Sequence, residues 1–192
     1  MPWTKVFLSN EDLSLFADSR GLRAVRYVEA LNEAQRQLMA ADERVFLLGE
    51  GVDDPGGVFG STKGLVDAFG PERVQDIPIA ENGLTGVALG ASLLGLRPIF
   101  VHMRMDFLPM CMDQIVNHAA KWSYMSGGRL HAPLVIRSII GRGWGSAAQH
   151  SQALHGLFAH VPGIKVALPS TPYDAKGLLI QAARDEIGRA HV

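Results

Sequence analysis

The chain has 192 residues, 19 acidic against 18 basic, a formal net charge of -1, 47% hydrophobic and 19% charged residues. Domains run to roughly 100–200 residues, so one core is expected, and near-neutral charge without a long Lys/Arg block removes the electrostatic basis for nucleic-acid binding. Cys111 stands alone, which leaves neither an intrachain disulfide nor a cysteine zinc site and suggests a reducing compartment, cytosolic or matrix-like.

Residues 1–20 carry Glu11, Asp12 and Asp18 where a signal peptide needs a basic start and an unbroken apolar run, so they read as an N-terminal extension. From Ala24 to Ala41 the apolar residues Val28, Leu31, Ala34, Leu38 and Met39 recur at three- and four-residue steps, the period of an amphipathic helix. Val45 to Leu48 follows as a continuous apolar run ending at Gly49, suited to a strand covered on both faces. Further strands are expected at Ile77 to Ala80, Pro98 to Met103, Pro133 to Ile140 and Ile164 to Leu168. Helices are expected at Gly83 to Leu96, at Phe107 to Met125 with Cys111, Ile115, Ala119 and Trp122 on one face, and at Pro172 to Arg184. The fold class is therefore α/β: a mostly parallel sheet with helices on both faces, in a single domain over residues 21–186. The weakly polar stretch Gly83 to Leu96, closed by Arg97, falls short of the ~20 residues that span a bilayer, so no membrane partner is expected.

In such sheets the ligand crevice lies beyond the carboxyl ends of the strands, which points to the loops after Gly49, Ala80, Met103 and Gly141. Glu81 stands between an expected strand and a helix start; from position alone, a contact with the helix macrodipole accounts for it. Gly83, Gly86, Gly90 and Gly95 each weaken that helix by about 1 kcal/mol relative to alanine, so Gly86, Gly90 and Ala91 are expected to meet another backbone. Their spacing is not a dinucleotide fingerprint. His150, after the glycine-rich loop Gly141 to Gly145, is of a residue type that can donate or accept a proton, although a hydrogen-bonded structural role is the commoner one. His150, His155 and His160 step by about 140° around a helix and cannot share a metal.

VFLLGEGV (45–52), IPIAENGLTGVALGASLLGLRPI (77–99), MDQIVNHAAKWSYMSGG (112–128), AAQHSQ (147–152) and PGIKVALPSTPYDAKGLL (162–179) resemble the β subunit of the thiamine-diphosphate-dependent 2-oxoacid dehydrogenases, which include the pyruvate, branched-chain and acetoin enzymes. The resemblance implies a transketolase-like pyrimidine-binding domain. Its half of the cofactor site is completed by an α subunit, which brings the magnesium and diphosphate motif missing here. Glu81 then matches the glutamate that hydrogen-bonds the aminopyrimidine and, if buried with a raised pKa, holds its proton. Glu50 matches a second carboxylate, Phe107 an aromatic against the pyrimidine, and His150 the partner of the substrate carboxylate or of acyl transfer to a lipoyl-bearing acyltransferase. Main-chain groups matching Leu134, Ala182 and Asp185 bind potassium in some members.

Two departures accompany the resemblance. His102 to Asp106 is less aromatic than the family pattern, and residues 187–192 form a tail foreign to it. The chain therefore reads as truncated to its pyrimidine domain, with an open sheet edge and exposed surface that favour self-association. The rival reading is a non-catalytic chain that keeps the fold and the α-subunit docking surface.

Overall fold

Helix α1 (Asn10–Asp18) begins where the Ser9 hydroxyl accepts the Asp12 N–H at 3.0 Å, an N-cap that gives one unpaired amide a partner. It forms within the expected N-terminal extension and buries Ala17. Helix α2 (Tyr27–Ala41) starts with the Glu29 carboxylate accepting the Arg26 N–H at 2.9 Å and buries the Leu31, Ala34, Leu38 and Met39 stripe. After it come β1 (Val45–Gly49), α3 (Leu65–Phe69), β2 (Val74–Asp76), α4 (Glu81–Leu93) and β3 (Arg97–His102). A 3₁₀ run over Met105–Cys111, a π-helical run over Asp113–Ala119 and the short α5 (Trp122–Met125) lead to β4 (Val135–Ser138). A 3₁₀ turn at Ala148–His150, α6 (Gly156–Ala159), β5 (Lys165–Ala167), α7 (Pro172–Arg184) and β6 (Arg189–His191) complete the order. Helix α7 has Pro172 in its first turn and Thr171 as cap, the arrangement expected where the first amides lack partners. The computed structural model describes residues 9–142, 145–186 and 189–191, and none of its described helices is long and apolar enough to cross a membrane.

All strand pairs are parallel, in the order β2-β1-β3-β4-β6-β5. Leu47 is flanked by Val74 and Ile99, and Phe100 by Leu48 and Ile136. Alternate residues feed two cores. Val45, Leu47, Ile99, Val101 and Val135 pack under α2 and α7, while Leu48, Phe100 and Ile136 pack under α4 and the 3₁₀ and π segments.

The expected α/β class is observed, with three local corrections. Ile77 to Ala80 is not a strand: β2 ends at Asp76, and Ile79 is 79% exposed. The reason is register, since β1 ends at Gly49 opposite Asp76 and offers nothing further to pair with, while Pro78 lacks an amide. The helix expected from Phe107 to Met125 is broken in three. Pro109 lies inside the 3₁₀ run, and the Ala120 N–H reaches five residues back to the Ile115 carbonyl at 2.9 Å, a π-type bond. Cys111, Ile115 and Ala119 still face the core. Finally, Arg189–His191 form β6 between β4 and β5, so the sheet's edges are β2 and β5 rather than an opening after Asp185.

Candidate active site

Strand β1 lies between β2 and β3, so the chain leaves β1 in one direction and β3 in the other, which creates a switch point at their carboxyl ends. A cleft of about 330 Å³ opens there, lined by Glu50, Phe59, Glu81, Met103, Phe107 and His150 among others. The four loops expected to ring the crevice contribute to it, and Glu50, Glu81, Phe107 and His150 meet in one place. Glu81 is the first residue of α4, half-buried rather than buried, and its carbonyl accepts the Thr85 hydroxyl at 2.7 Å. Glu50 follows β1 directly, half-buried. Burial first, then the charges of Glu81 and Asp76, raise its pKa above the ordinary carboxylate value. The Asp76 carboxylate also accepts the Gly51 N–H at 2.6 Å, which fixes the turn after Glu50.

Phe107 stands in the 3₁₀ run with its ring 5.3 Å from the His150 imidazole, edge to face at 77°. Between β3 and that run lies a group that sequence reasoning treated only as a departure. His102 is buried in the cleft wall, 4.2 Å from the Phe100 ring centroid, with Nε2 4.0 Å from Cys111 Sγ. Burial pushes the imidazole down to about 4 and the Cys111 thiol up to about 11, so both are neutral at pH 7. Arg104 and Asp106 are a buried pair, 3.7 Å apart. One Asp106 oxygen accepts from the Ser151 N–H at 3.2 Å and from the Gln152 N–H and side-chain amide at 3.0 Å each, and Arg104 donates to the Gly141 carbonyl. Burial raises the Asp106 pKa, but the Gln152 hydrogen bonds and the Arg104 charge outweigh it and leave the pKa lowered. This ionised clamp holds both ends of the loop that carries His150. Alternating polar residues directly after a buried strand, His102-x-Arg104-x-Asp106, were the signal for it.

Backbone strain marks the same loop. Ala147, immediately before the His150 turn, has φ 59° and ψ -167°, a region otherwise close to glycine-only. Phe59, on the opposite wall, is at φ 48°.

Other expected site features lie outside the cleft. Leu134 and Ala182 are buried away from the cleft lining, and the Asp185 carboxylate is bonded by Lys165 at 2.8 Å. The glycines of α4 do not meet another backbone among the described residues: a Cβ at Gly83 or Gly90 would meet nothing there, and one at Gly86 would touch the Gln114 side chain.

Comparison with known proteins identifies the family. Residues 23–189 match the family described as transketolase, pyrimidine binding domain. The chain belongs to that family. Among curated relatives of this pyrimidine-binding domain, the acetoin:2,6-dichlorophenolindophenol oxidoreductase subunit beta of Bacillus subtilis (strain 168) is 47% identical over 85% of this chain and 51% of its own length. The 2-oxoisovalerate dehydrogenase subunit beta of the same organism is 46% identical over 86% of this chain and 50% of its own. A mitochondrial pyruvate dehydrogenase E1 component subunit beta-2 of Oryza sativa subsp. japonica is 48% identical over 82% and 42%. The chain thus spans about half the length of these relatives. A solved split-gene transketolase, an inactive beta4 tetramer, superposes with a TM-score of 0.69 over 88% of this chain and 50% of its own at 23% identity, which speaks to the fold.

Proposed function

We propose that this chain is the β-subunit part of a thiamine-diphosphate-dependent 2-oxoacid dehydrogenase, supplying the aminopyrimidine half of a cofactor site that an α subunit completes. One observation carries the reading: Glu50, Glu81, Phe107 and His150 come from four separate segments of the chain and line one switch-point cleft. The donor set fits a flat nitrogen heterocycle, with two carboxyls at the rim and an aromatic ring on the wall. Thiamine diphosphate, when bound, supplies a carbon nucleophile and an electron sink for decarboxylation.

The chain's own residues do the rest. Glu81 hydrogen-bonds a ring nitrogen and passes a proton through its carboxylate oxygen. Glu50, with its raised pKa, holds a proton to higher pH than an ordinary carboxyl and so limits repulsion between the two acids. Phe107 presents its ring to the pyrimidine face, while Phe59, Phe100 and Met103 exclude water. His150, fixed by the Asp106 clamp and by Phe107, holds the 2-oxoacid carboxylate or serves acyl transfer to the lipoyl arm of an acyltransferase. Magnesium and diphosphate belong to the α subunit in this reading, and a potassium ion would be held by main-chain groups of Leu134, Ala182 and Asp185. Support for a partner chain comes from α4, where Gly83 and Gly90 leave room for another backbone beside Val87, which is 60% exposed.

Calorimetric titration with thiamine diphosphate and magnesium is expected to give saturable binding only when the chain is mixed with its α subunit; absence of binding in the mixture overturns the half-site reading. In the assembled complex, Glu81→Gln is expected to lower cofactor-dependent decarboxylation by about 10²-fold or more, the usual contribution of a positioned acid–base group. Unchanged turnover would remove Glu81 from the role assigned to it.

A further inference from the structure

Arg137 lies in β4, inside the sheet, and is 2% exposed. Its Nη2 donates to the Ser61 hydroxyl at 2.8 Å, and its Nε meets no acceptor. Among the described residues no carboxylate is paired with it, and the titratable group that acts on it is the Tyr27 phenol. Burial lowers its pKa to about 10, which leaves it a cation at neutral pH. A buried charge without a counter-charge is strongly unfavourable, so an anion that reached the guanidinium would be held firmly.

Such an anion has a way in. Arg137 lines a cavity of about 310 Å³ together with Tyr27, Leu31, Ile139, Ile140 and Leu168. Tyr27 and Leu168, 38% and 45% exposed, stand at its mouth, where the Tyr27 hydroxyl donates to the Pro169 carbonyl at 3.0 Å. Besides Arg137 the lining includes Ser138, whose hydroxyl has no partner, and the Tyr27 phenol at the mouth, and the remaining side chains are apolar. A bare inorganic anion would find a single charged fork with mostly hydrocarbon around it. A ligand with a planar carboxylate at one end and a short alkyl group at the other satisfies both parts.

We propose that this cavity is a second binding site, separate from the cleft, for a small aliphatic monocarboxylate, with the carboxylate on Arg137 and the alkyl group against Leu31, Ile139 and Leu168. The inference shares no residue with the cleft and does not rest on the function proposed for it.

The test is an NMR titration of the 192-residue chain with carboxyl-labelled isobutyrate, beside isobutyramide and inorganic phosphate. Saturable isobutyrate binding is expected, with the uncharged amide at least roughly tenfold weaker and phosphate unable to displace it. Arg137→Met should weaken isobutyrate at least roughly tenfold. Leu168→Trp, which fills the mouth without touching the sheet interior, should also abolish binding, and it keeps the test decisive if the Arg137 variant does not fold. No saturable binding, equal affinity for acid and amide, displacement by phosphate, or undiminished binding in Leu168→Trp would each overturn the proposal.

Discussion

The two faces of the sheet are covered by different kinds of helix. Under α2 and α7 the cover is two long, regular, capped helices that pack closely on each other. Under α4 the cover is a glycine-bearing helix followed by 3₁₀ and π runs around Pro109. The regular face buries its stripe together with two unpartnered polar atoms, Gln35 Oε1 and Arg137 Nε. The broken face gives up regular intrahelical bonds and sets Phe107 on the cleft wall, His102 against Cys111, and Asp106 against the His150 loop. Side chains that line the cleft or brace its loop are placed where helical periodicity has been interrupted. The largest expected effects therefore lie on the broken face, at its buried charges rather than its hydrocarbon.

Asp106→Ala is the sharpest way to break that face. It leaves Arg104 buried without its counter-charge and releases three hydrogen bonds to Ser151 and Gln152. Removing one partner of a buried pair costs about 3–5 kcal/mol, to be read from urea denaturation. Asp106→Asn keeps an oxygen for the loop and should lose less. Hydrogen exchange at the Ser151 and Gln152 amides should accelerate far more in the alanine variant; equal exchange in both would mean that the carboxylate does not hold the loop.

The same contrast explains what the sequence discloses. Strands β1, β3 and β4 and helices α2 and α7 stand out because a run of Val45 to Leu48, or a stripe such as Leu31, Ala34 and Leu38, has a period that packing on a sheet leaves intact. The break at Pro109 is hidden by the apolar spacing of Cys111, Ile115 and Ala119, which is kept across the 3₁₀ and π runs. The Asp106 clamp joins residues 45 and 46 apart in sequence: the alternation His102-x-Arg104-x-Asp106 marks one end of it locally, while its partners Ser151 and Gln152 are brought there only by the tertiary fold. Ile77 to Ala80 is misread because its apolar residues suggest a strand, while the end of its ladder is decided by the length of β1. Arg137 reads as an interruption in an apolar run, and nothing nearby in the chain marks the cavity beside it. The cleft residues themselves are legible through family resemblance; their burial is not.

His102 distinguishes the faces by pH. Its folded pKa of about 4 lies below the ordinary 6.5, so the unfolded chain takes up a proton that the folded chain refuses. Stability is therefore lost as pH falls from about 6.5 towards 4. His102→Phe should remove most of that slope between pH 7 and 5 in urea midpoints; an unchanged slope would place its origin elsewhere.

A smaller effect of opposite sign is expected at Ala147. Glycine accepts φ 59° and ψ -167° without the strain that alanine carries there, about 1–3 kcal/mol, but it adds about 0.4–1 kcal/mol of unfolded-state freedom. Ala147→Gly should therefore stabilise by roughly 1 kcal/mol in thermal melts, and a destabilised variant would show that the surrounding loop already accommodates the strain.

The regular face should respond least. Lys176 on α7 meets Glu33 on α2 at 2.9 Å, and Arg23 meets the same carboxylate. The Arg23 and Lys176 hydrogen bonds hold Glu33 at about 2, against the opposing effect of burial. Because that value lies below the ordinary 4.5, the contribution is complete above about pH 4.5 and disappears as pH falls towards 2. Lys176→Met leaves Arg23 in place and removes a pair that water and salt partly screen, so the loss at pH 7 should be about 0.5 kcal/mol, smaller still in high salt. The acid limb of the stability curve should move upward as Glu33 loses one of its two cations. A loss above about 2 kcal/mol at pH 7 would mean that α2 and α7 depend on this pair and not on their apolar stripe, and the distinction between the faces would fail.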